Sequence, residues 1–331
     1  MAQLINNTPF AAQYVLLPNE EGIDTLYVIV KASFNIGTVW TLCDEQPAPL
    51  SEDTYWGEPG KSSLKYPMDM HQGKPSTDIG VLGSGYAPGN KPVHTLKVSA
   101  TIGQYQKTLC LFGDRYWQQG RIRPASPFTH MPIRYENAFG GQYRVQNELK
   151  SLEPANPVGK GYRGAHEPAE MEEQPLPNIE DPKQLIRHMD DTPKPAGFGF
   201  IAPNWYPRAT YAGTYDDQWL RSRAPYLPLD YQARAQNAAP DDFICKEYLR
   251  GGEAVTLLNM HPDGPLNFVL PQINLGGSVQ RHSQPQQTLS FMMETLIIDT
   301  DAMQLNMAWK AAYCCNNAFP QIRTVRVYLS R

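Results

Sequence analysis

No run of about eighteen consecutive apolar residues occurs in these 331 positions, so the pattern of a membrane-crossing helix is missing. The opening stretch "MAQLINNTPF" has no basic segment followed by an apolar one, the layout of a secretory leader. On this reading the chain is expected to be cytoplasmic, with no membrane partner. Cysteine is scarce: Cys43, Cys110, Cys245, Cys314 and Cys315 are odd in number and lack C-x-x-C spacing. They are expected to be reduced thiols, buried as small apolar side chains. Basic residues are outnumbered 29 to 33, and no basic stripe is sustained anywhere. That excludes a surface that tracks a phosphate backbone, so nucleic acid is not an expected partner.

The familiar motifs of catalysis and cofactor binding fail when their context is read. "GKSS" at 60–63 would need a glycine at 55 to complete a phosphate loop, and Tyr55 stands there. "GFGFIA" at 197–202 has dinucleotide-loop spacing, but it follows "PKPA" and runs into Pro203 where a helix should grow. The seven histidines are dispersed, with neither an H-x₃-H nor an H-E-x-x-H arrangement, and no G-x-S-x-G elbow is present. No cofactor, metal or catalytic residue is assigned from these signals.

What the chain does have is strand periodicity. In "TLYVIVKASF" Leu26, Val28, Val30, Ala32 and Phe34 alternate with Thr25, Tyr27, Ile29, Lys31 and Ser33, one row for each face of a strand. "VHTLKVSATIG" and "YQKTLCLFG" share this period and predict a hairpin turning at Gly103 and Gln104. "AVTLLNM" and "LNFVLP" predict a second hairpin with Asp263 and Gly264 in its turn. "TLSFMMETLII" and "MQLNMAWKAAY" read as strands joined by "DTD", although a helix over 302–313 competes. The fold class that follows is mainly β: antiparallel, sandwich-like sheets of half-buried strands, with helix limited to short pieces such as "PKQLIRHMDD" at 182–191.

Between Pro154 and Pro240 the character changes. Thirteen of the 30 prolines fall in these 87 positions, about twice the density elsewhere, and proline cannot donate to a ladder. Phe198, Phe200, Trp205, Trp219 and six tyrosines keep the segment from reading as a solvated linker. The expected organisation is an N-terminal β region (1–150), an ordered proline- and aromatic-rich loop layer (151–245) and a C-terminal β region (246–331), integrated as one unit.

Five short stretches draw, in varying combination, on glycine, arginine, aspartate or asparagine, and aromatics. "GDRYW" carries Asp114, Arg115 and Trp117; "PIRYENAFGG" carries Arg134, Tyr135, Gly140 and Gly141; "NPVGKG" carries Asn156 and Gly159. "PNWYPR" adds Trp205 and Arg208, and "AGTYDDQW" adds Gly213, Thr214, Tyr215, Asp216 and Trp219. Three readings are open for them. They buttress loops by satisfying backbone groups, form a partner-binding surface, or catalyse.

These stretches, with "KPSTDIGVLGSGYAP", "LPNIED", "YLPLDY", "NAAPDD" and "GGEAVTLLNMHPDGPLNFVLP" in the same order, resemble a bacterial domain-of-unknown-function family found with type VI secretion genes. The resemblance spans roughly residues 10 to 310. It implies a non-enzymatic cytosolic adaptor or chaperone that binds a secreted effector protein and helps load it onto the VgrG or PAAR spike. No catalytic residue comes with the family. An adaptor of this kind needs an exposed apolar or edge-strand surface, and the strands at 93–102 and 322–329 are the expected edges. Two alternatives stand beside it. One is an enzyme acting on carbohydrate or cell wall through Asp114, Asp216 and Asp217 near tryptophans; the other is a structural component of a phage-like particle.

Overall fold

The computed structural model describes residues 2–282, 284–316 and 318–330. Fifteen strands build the three larger sheets. The first eight are β1 (Gln3–Asn7), β2 (Ala11–Pro18), β3 (Asp24–Asn35), β4 (Thr41–Leu42), β5 (Asp78–Leu82), β6 (Thr95–Ile102), β7 (Tyr105–Phe112) and β8 (Ile179–Glu180). They are followed by β9 (Ala254–Leu258), β10 (Leu266–Val269), β11 (Leu275–Arg281), β12 (Gln287–Ser290), β13 (Met292–Asp299), β14 (Gln304–Cys314) and β15 (Ile322–Leu329). The protein is mainly β, as expected, and no helix among the described residues is long and apolar enough to cross a membrane.

The central sheet runs β2-β3-β14-β13-β5, with β4 paired to the end of β3. A second sheet runs β8-β7-β6-β9-β10, and a third β1-β15-β11-β12. Most pairings are antiparallel, but β1 with β15 and β5 with β13 are parallel. Both predicted hairpins form. Gly103, at φ +56°, turns β6 into β7 through a two-residue loop, and β9 pairs with β10 around a longer loop that contains Gly264. Residues 304–314 are strand, so the competing helix is excluded: their Leu305, Met307 and Trp309 row joins the core beside Phe34, Ala32 and Val30.

Four other expectations are corrected. The 93–102 strand, β6, is hydrogen-bonded between β7 and β9, and the 322–329 strand, β15, lies between β1 and β11. Neither is an edge; the outermost strands of the three sheets are β2 and β5, β8 and β10, and β1 and β12. Residues 182–191 form turns, because their amides go to carboxylates: Ile186 N–H donates to Glu180, and Arg187 and His188 N–H donate to Asp191. The α-helix lies instead at Asp217–Ser222 (α1), where Asp216 caps it by accepting from Trp219 N–H at 2.8 Å. The cysteines remain unpaired thiols, yet Cys314 is exposed and Cys43 half-buried, so only Cys110, Cys245 and Cys315 fit the description of buried small side chains.

The fourth correction concerns the central sheet itself. Alternation suggests strands with one dry and one wet face, but nearly every side chain of β3 and β13 is buried. One face meets the main core. The other is roofed by chain from 44–77 and by the proline-rich layer, whose Phe198, Phe200 and Phe243 are fully buried. Phe200 lies so close over β5 that a Cβ on Gly80 would fall 2.2 Å from its ring, so glycine is required there by the approach of the ring. Phe200→Ala is expected to destabilise the protein by about 3 to 5 kcal/mol, read as a lower urea midpoint with unchanged slope.

Candidate functional site

The second face of the central sheet presents charge. Lys31 on β3, Lys310 on β14 and Glu294 on β13 all lie under the roof, where every group must find a partner or cost several kcal/mol. Lys31 Nζ donates to Asp69 at 2.9 Å, Lys74 Nζ to Asp78 at 2.8 Å, and Lys310 Nζ meets Glu294 at 3.1 Å. The acceptors are used further. Asp69 takes Leu50 N–H, Asp78 takes Asn237 Nδ2 and Ala238 N–H, and Glu294 takes Lys74 N–H. Three ion pairs thus fasten the 50–78 segment and the 237–238 turn to the sheet.

His71 completes this layer as a neutral ring. Its Nδ1 accepts Gly73 N–H at 3.0 Å, its backbone oxygen accepts from Lys310 Nζ at 3.0 Å, and burial, reinforced by Lys310, Lys74 and Arg208, holds its pKa well below 6.5. Burial also lowers Lys310 to about 8 against the pull of Glu294, and pushes the Tyr27 phenol up to about 12. A cleft of about 500 Å³ opens over this point, lined by Tyr27, Lys74, Tyr248, Glu294 and Lys310 with Glu20 and Glu21 among its lining.

A second cleft, of about 550 Å³, lies among the sequence stretches singled out above. Its lining includes Tyr135, Asp181, Ala196, Tyr206, Arg208 and Asn237. Lys107 and Arg234 also face it, each held by a carboxylate: Asp242 at 2.7 Å and Asp241 at 2.6 Å. Burial lowers the Lys107 pKa in spite of Asp242.

The candidate residues named from sequence gather into four groups. Arg115 is buried, donates to Pro177 O at 2.6 Å and to Glu180, and stacks 3.8 Å from the Phe112 ring centre. Asp114 beside it is exposed and accepts from Asn178 Nδ2, while Trp117 enters a small separate core with Phe139, Met171 and Leu176. Asn156, fully buried, donates to Tyr135 O and Phe139 O; Gly140, Gly141 and Gly159 pack around it, with a Cβ on Gly140 falling 2.1 Å from Asn156 O.

In the third group Tyr135 meets Trp205 edge to face at 5.9 Å, next to Arg208, and Arg134 covers Trp56 at 3.9 Å. In the fourth, Gly213 (φ +84°) turns the chain so that Thr214 donates to Asp230, Tyr215 packs on Trp219, and Trp219 Nε1 donates to Tyr226 O. Asp114, Asp216 and Asp217 are exposed and line neither cleft. The polar atoms of these groups are spent largely on loop backbone, and only Tyr135 and Arg208 among the candidates face a cleft. The buried pairs of Lys31, Lys74 and Lys310 escaped the sequence reading, because nothing local marks which charges the fold buries: Lys31 meets Asp69 38 positions on, and Lys310 also reaches His71 O across 239 positions.

The model of a bacterial family described as an uncharacterized protein conserved in bacteria (DUF2169) matches residues 21–310. The chain belongs to that family. The matched span holds the second cleft, all the candidate residues, and the lining of the first cleft except Asn19, Glu20 and Ala312. No curated protein and no solved structure matches the chain.

Two outcomes test the energetics. Arg115→Ala should lower unfolding free energy by about 3 to 5 kcal/mol, since it leaves the Glu180 carboxylate buried, and the double change Arg115→Met with Glu180→Leu should cost less than the single one. For pH, an unfolded His71 binds a proton below about 6.5 whereas the folded one does not, so acid favours the unfolded chain. Stability should therefore fall as pH drops below that value. His71→Asn should flatten this part of the profile when urea midpoints are compared across pH.

Proposed function

We propose that the protein is a non-enzymatic adaptor or chaperone of the cytoplasm that binds a secreted effector and assists its loading onto the VgrG or PAAR spike of a type VI secretion system. The observation that carries the binding part of this reading is the exposure of five large apolar side chains along the 206–229 segment. Tyr206, Tyr215, Leu220, Tyr226 and Leu229 are all exposed, Leu220 at 63% and Leu229 at 89%. Loops this well tied down do not ordinarily leave so many large apolar side chains in water; such exposure suits a protein partner.

The segment is rigid enough to present a surface. Asp216 caps α1, Trp219 Nε1 holds Tyr226 O, and Arg223 reaches Leu227 O and Glu20 O. Edge strands β2, β10 and β12 offer a second means of holding an extended segment by strand addition. The secretion context comes from the resemblance of the quoted stretches, and the geometry supports only the capacity to bind.

The test is deletion of the gene in a strain with an active secretion apparatus. One effector should fall in cellular abundance or fail to be exported while firing of the apparatus continues. If every effector keeps its level and its export, the adaptor reading is wrong. Leu220→Asp combined with Leu229→Asp should reproduce the deletion while leaving the melting temperature of the purified protein near that of the parent, because both side chains are exposed.

A further inference from the structure

Among the buried cations that have a role in the fold, Arg208 stands apart. Lys31, Lys74 and Lys310 each have a carboxylate within 3.1 Å, and Arg115 is paired with Glu180. Arg208 is only 8% exposed, yet no carboxylate lies within 4 Å of it among the described residues. Its Nε donates to Ala235 O and its Nη1 to Ile201 O, both at 2.8 Å, and Nη2 has no partner among the described residues. The nearby carboxylates of Asp53 and Asp78 are engaged elsewhere, with Met68 N–H and with Lys74, Asn237 and Ala238. Two carbonyls position the guanidinium without neutralising it. A buried charge left in that state calls for an anion.

Arg208 lines the 550 Å³ cleft, whose size is that of sites for small organic ligands. Its apolar wall comes from Tyr135, Ala196, Ile201, Ala239, Pro240 and Ile244. Of the other cations lining the cleft, Lys107 and Arg234 are matched by Asp242 and Asp241, and the exposed Lys194 and the half-buried Asp181 bring one charge of each sign. With those charges balanced in number, Arg208 leaves the lining one positive charge in excess, one short of a doubly charged phosphate. A carboxylate carries one charge and fits the planar N–H fork of the guanidinium. We infer that this cleft is a binding site for a carboxylate carried on an apolar body of aromatic size, with Arg208 as its anchor.

Two sources offer that chemistry, the C-terminus of a polypeptide and a free small acid. The site does not depend on the adaptor reading, which concerns the exposed side chains of 206–229 and shares only Tyr206 with this cleft. Two arms separate the sources. In one, the full chain is used to select from a library of short peptides displayed with free C-terminal carboxylates, and enriched peptides are compared with their C-terminal amides. In the other, phenylacetate, 3-phenylpropionate and 4-phenylbutyrate are titrated calorimetrically against the corresponding amides. At least one arm should give saturable binding in which the amide is weaker by about tenfold or more.

Arg208→Gln should remove that preference for the acid. Because this variant can also disturb the fold, Ala155→Trp provides a second check: Ala155 is half-buried on the cleft lining, and an indole there fills the space while leaving Arg208 in place. Enriched peptides alone assign the site to a polypeptide terminus, and binding of acids alone assigns it to a free acid. Absence of acid-over-amide preference in both arms overturns the inference, and so does binding that persists unchanged in Ala155→Trp.

Discussion

The organisation of this protein depends on a sheet that is dry on both sides. A β-sheet can shield one face with apolar residues and leave the other to water, and then its loops are free to vary. Here the second face of the central sheet carries Lys31, Lys310 and Glu294 into a roofed interior. Each charge then dictates what must lie above it. Asp69, His71 and Lys74 come from a segment with little regular structure that leads into β5 at Asp78, and they hold it in place through side chains where a ladder is missing. Such pairs add little net stability compared with apolar packing, but they penalise any arrangement in which one member is misplaced. The layer therefore acts on the uniqueness of the fold more than on its depth.

The proline-rich layer follows the same logic with different groups. Deprived of ladder hydrogen bonds, its carbonyls are met by arginine and asparagine side chains: Arg115 at Pro177, Arg208 at Ile201 and Ala235, Asn156 at Tyr135 and Phe139. Glycines admit these side chains closely, as at Gly140 against Asn156. The loops that surround the second cleft are rigid for this reason, and the cleft is largely formed before any ligand arrives.

What could be read from the sequence was local. The period of two along Leu26 to Phe34, the glycine at 103 and the row from Leu305 to Trp309 each depend on neighbours a few positions away, and the strands and hairpins follow from them. The helix expected over 182–191 failed because Glu180 and Asp191 take its amides, a competition that propensity does not register. The edges were misplaced since strand order is a property of the whole chain: β15 receives β1 from the opposite end of the sequence. The candidate site was legible only as composition. "PNWYPR" announces an arginine among aromatics, but that Arg208 is buried without a carboxylate is a fact about Asp53, Asp78 and Ala235 in space.

The pairing of β3 with β14 sets a condition on synthesis. Val30 faces Trp309 in the ladder, 309 − 30 = 279 positions later, and β1 likewise waits for β15. At translation speeds of about 5 to 20 residues per second, the apolar strand Leu26 to Phe34 spends roughly 15 to 60 s outside its sheet after it is made. During that interval it is a β-rich, uncharged-faced segment with an open partner side, the kind of segment that associates with other nascent chains. The native sheet can close only near the end of translation, and residues 24–35 must stay clear of other chains until then.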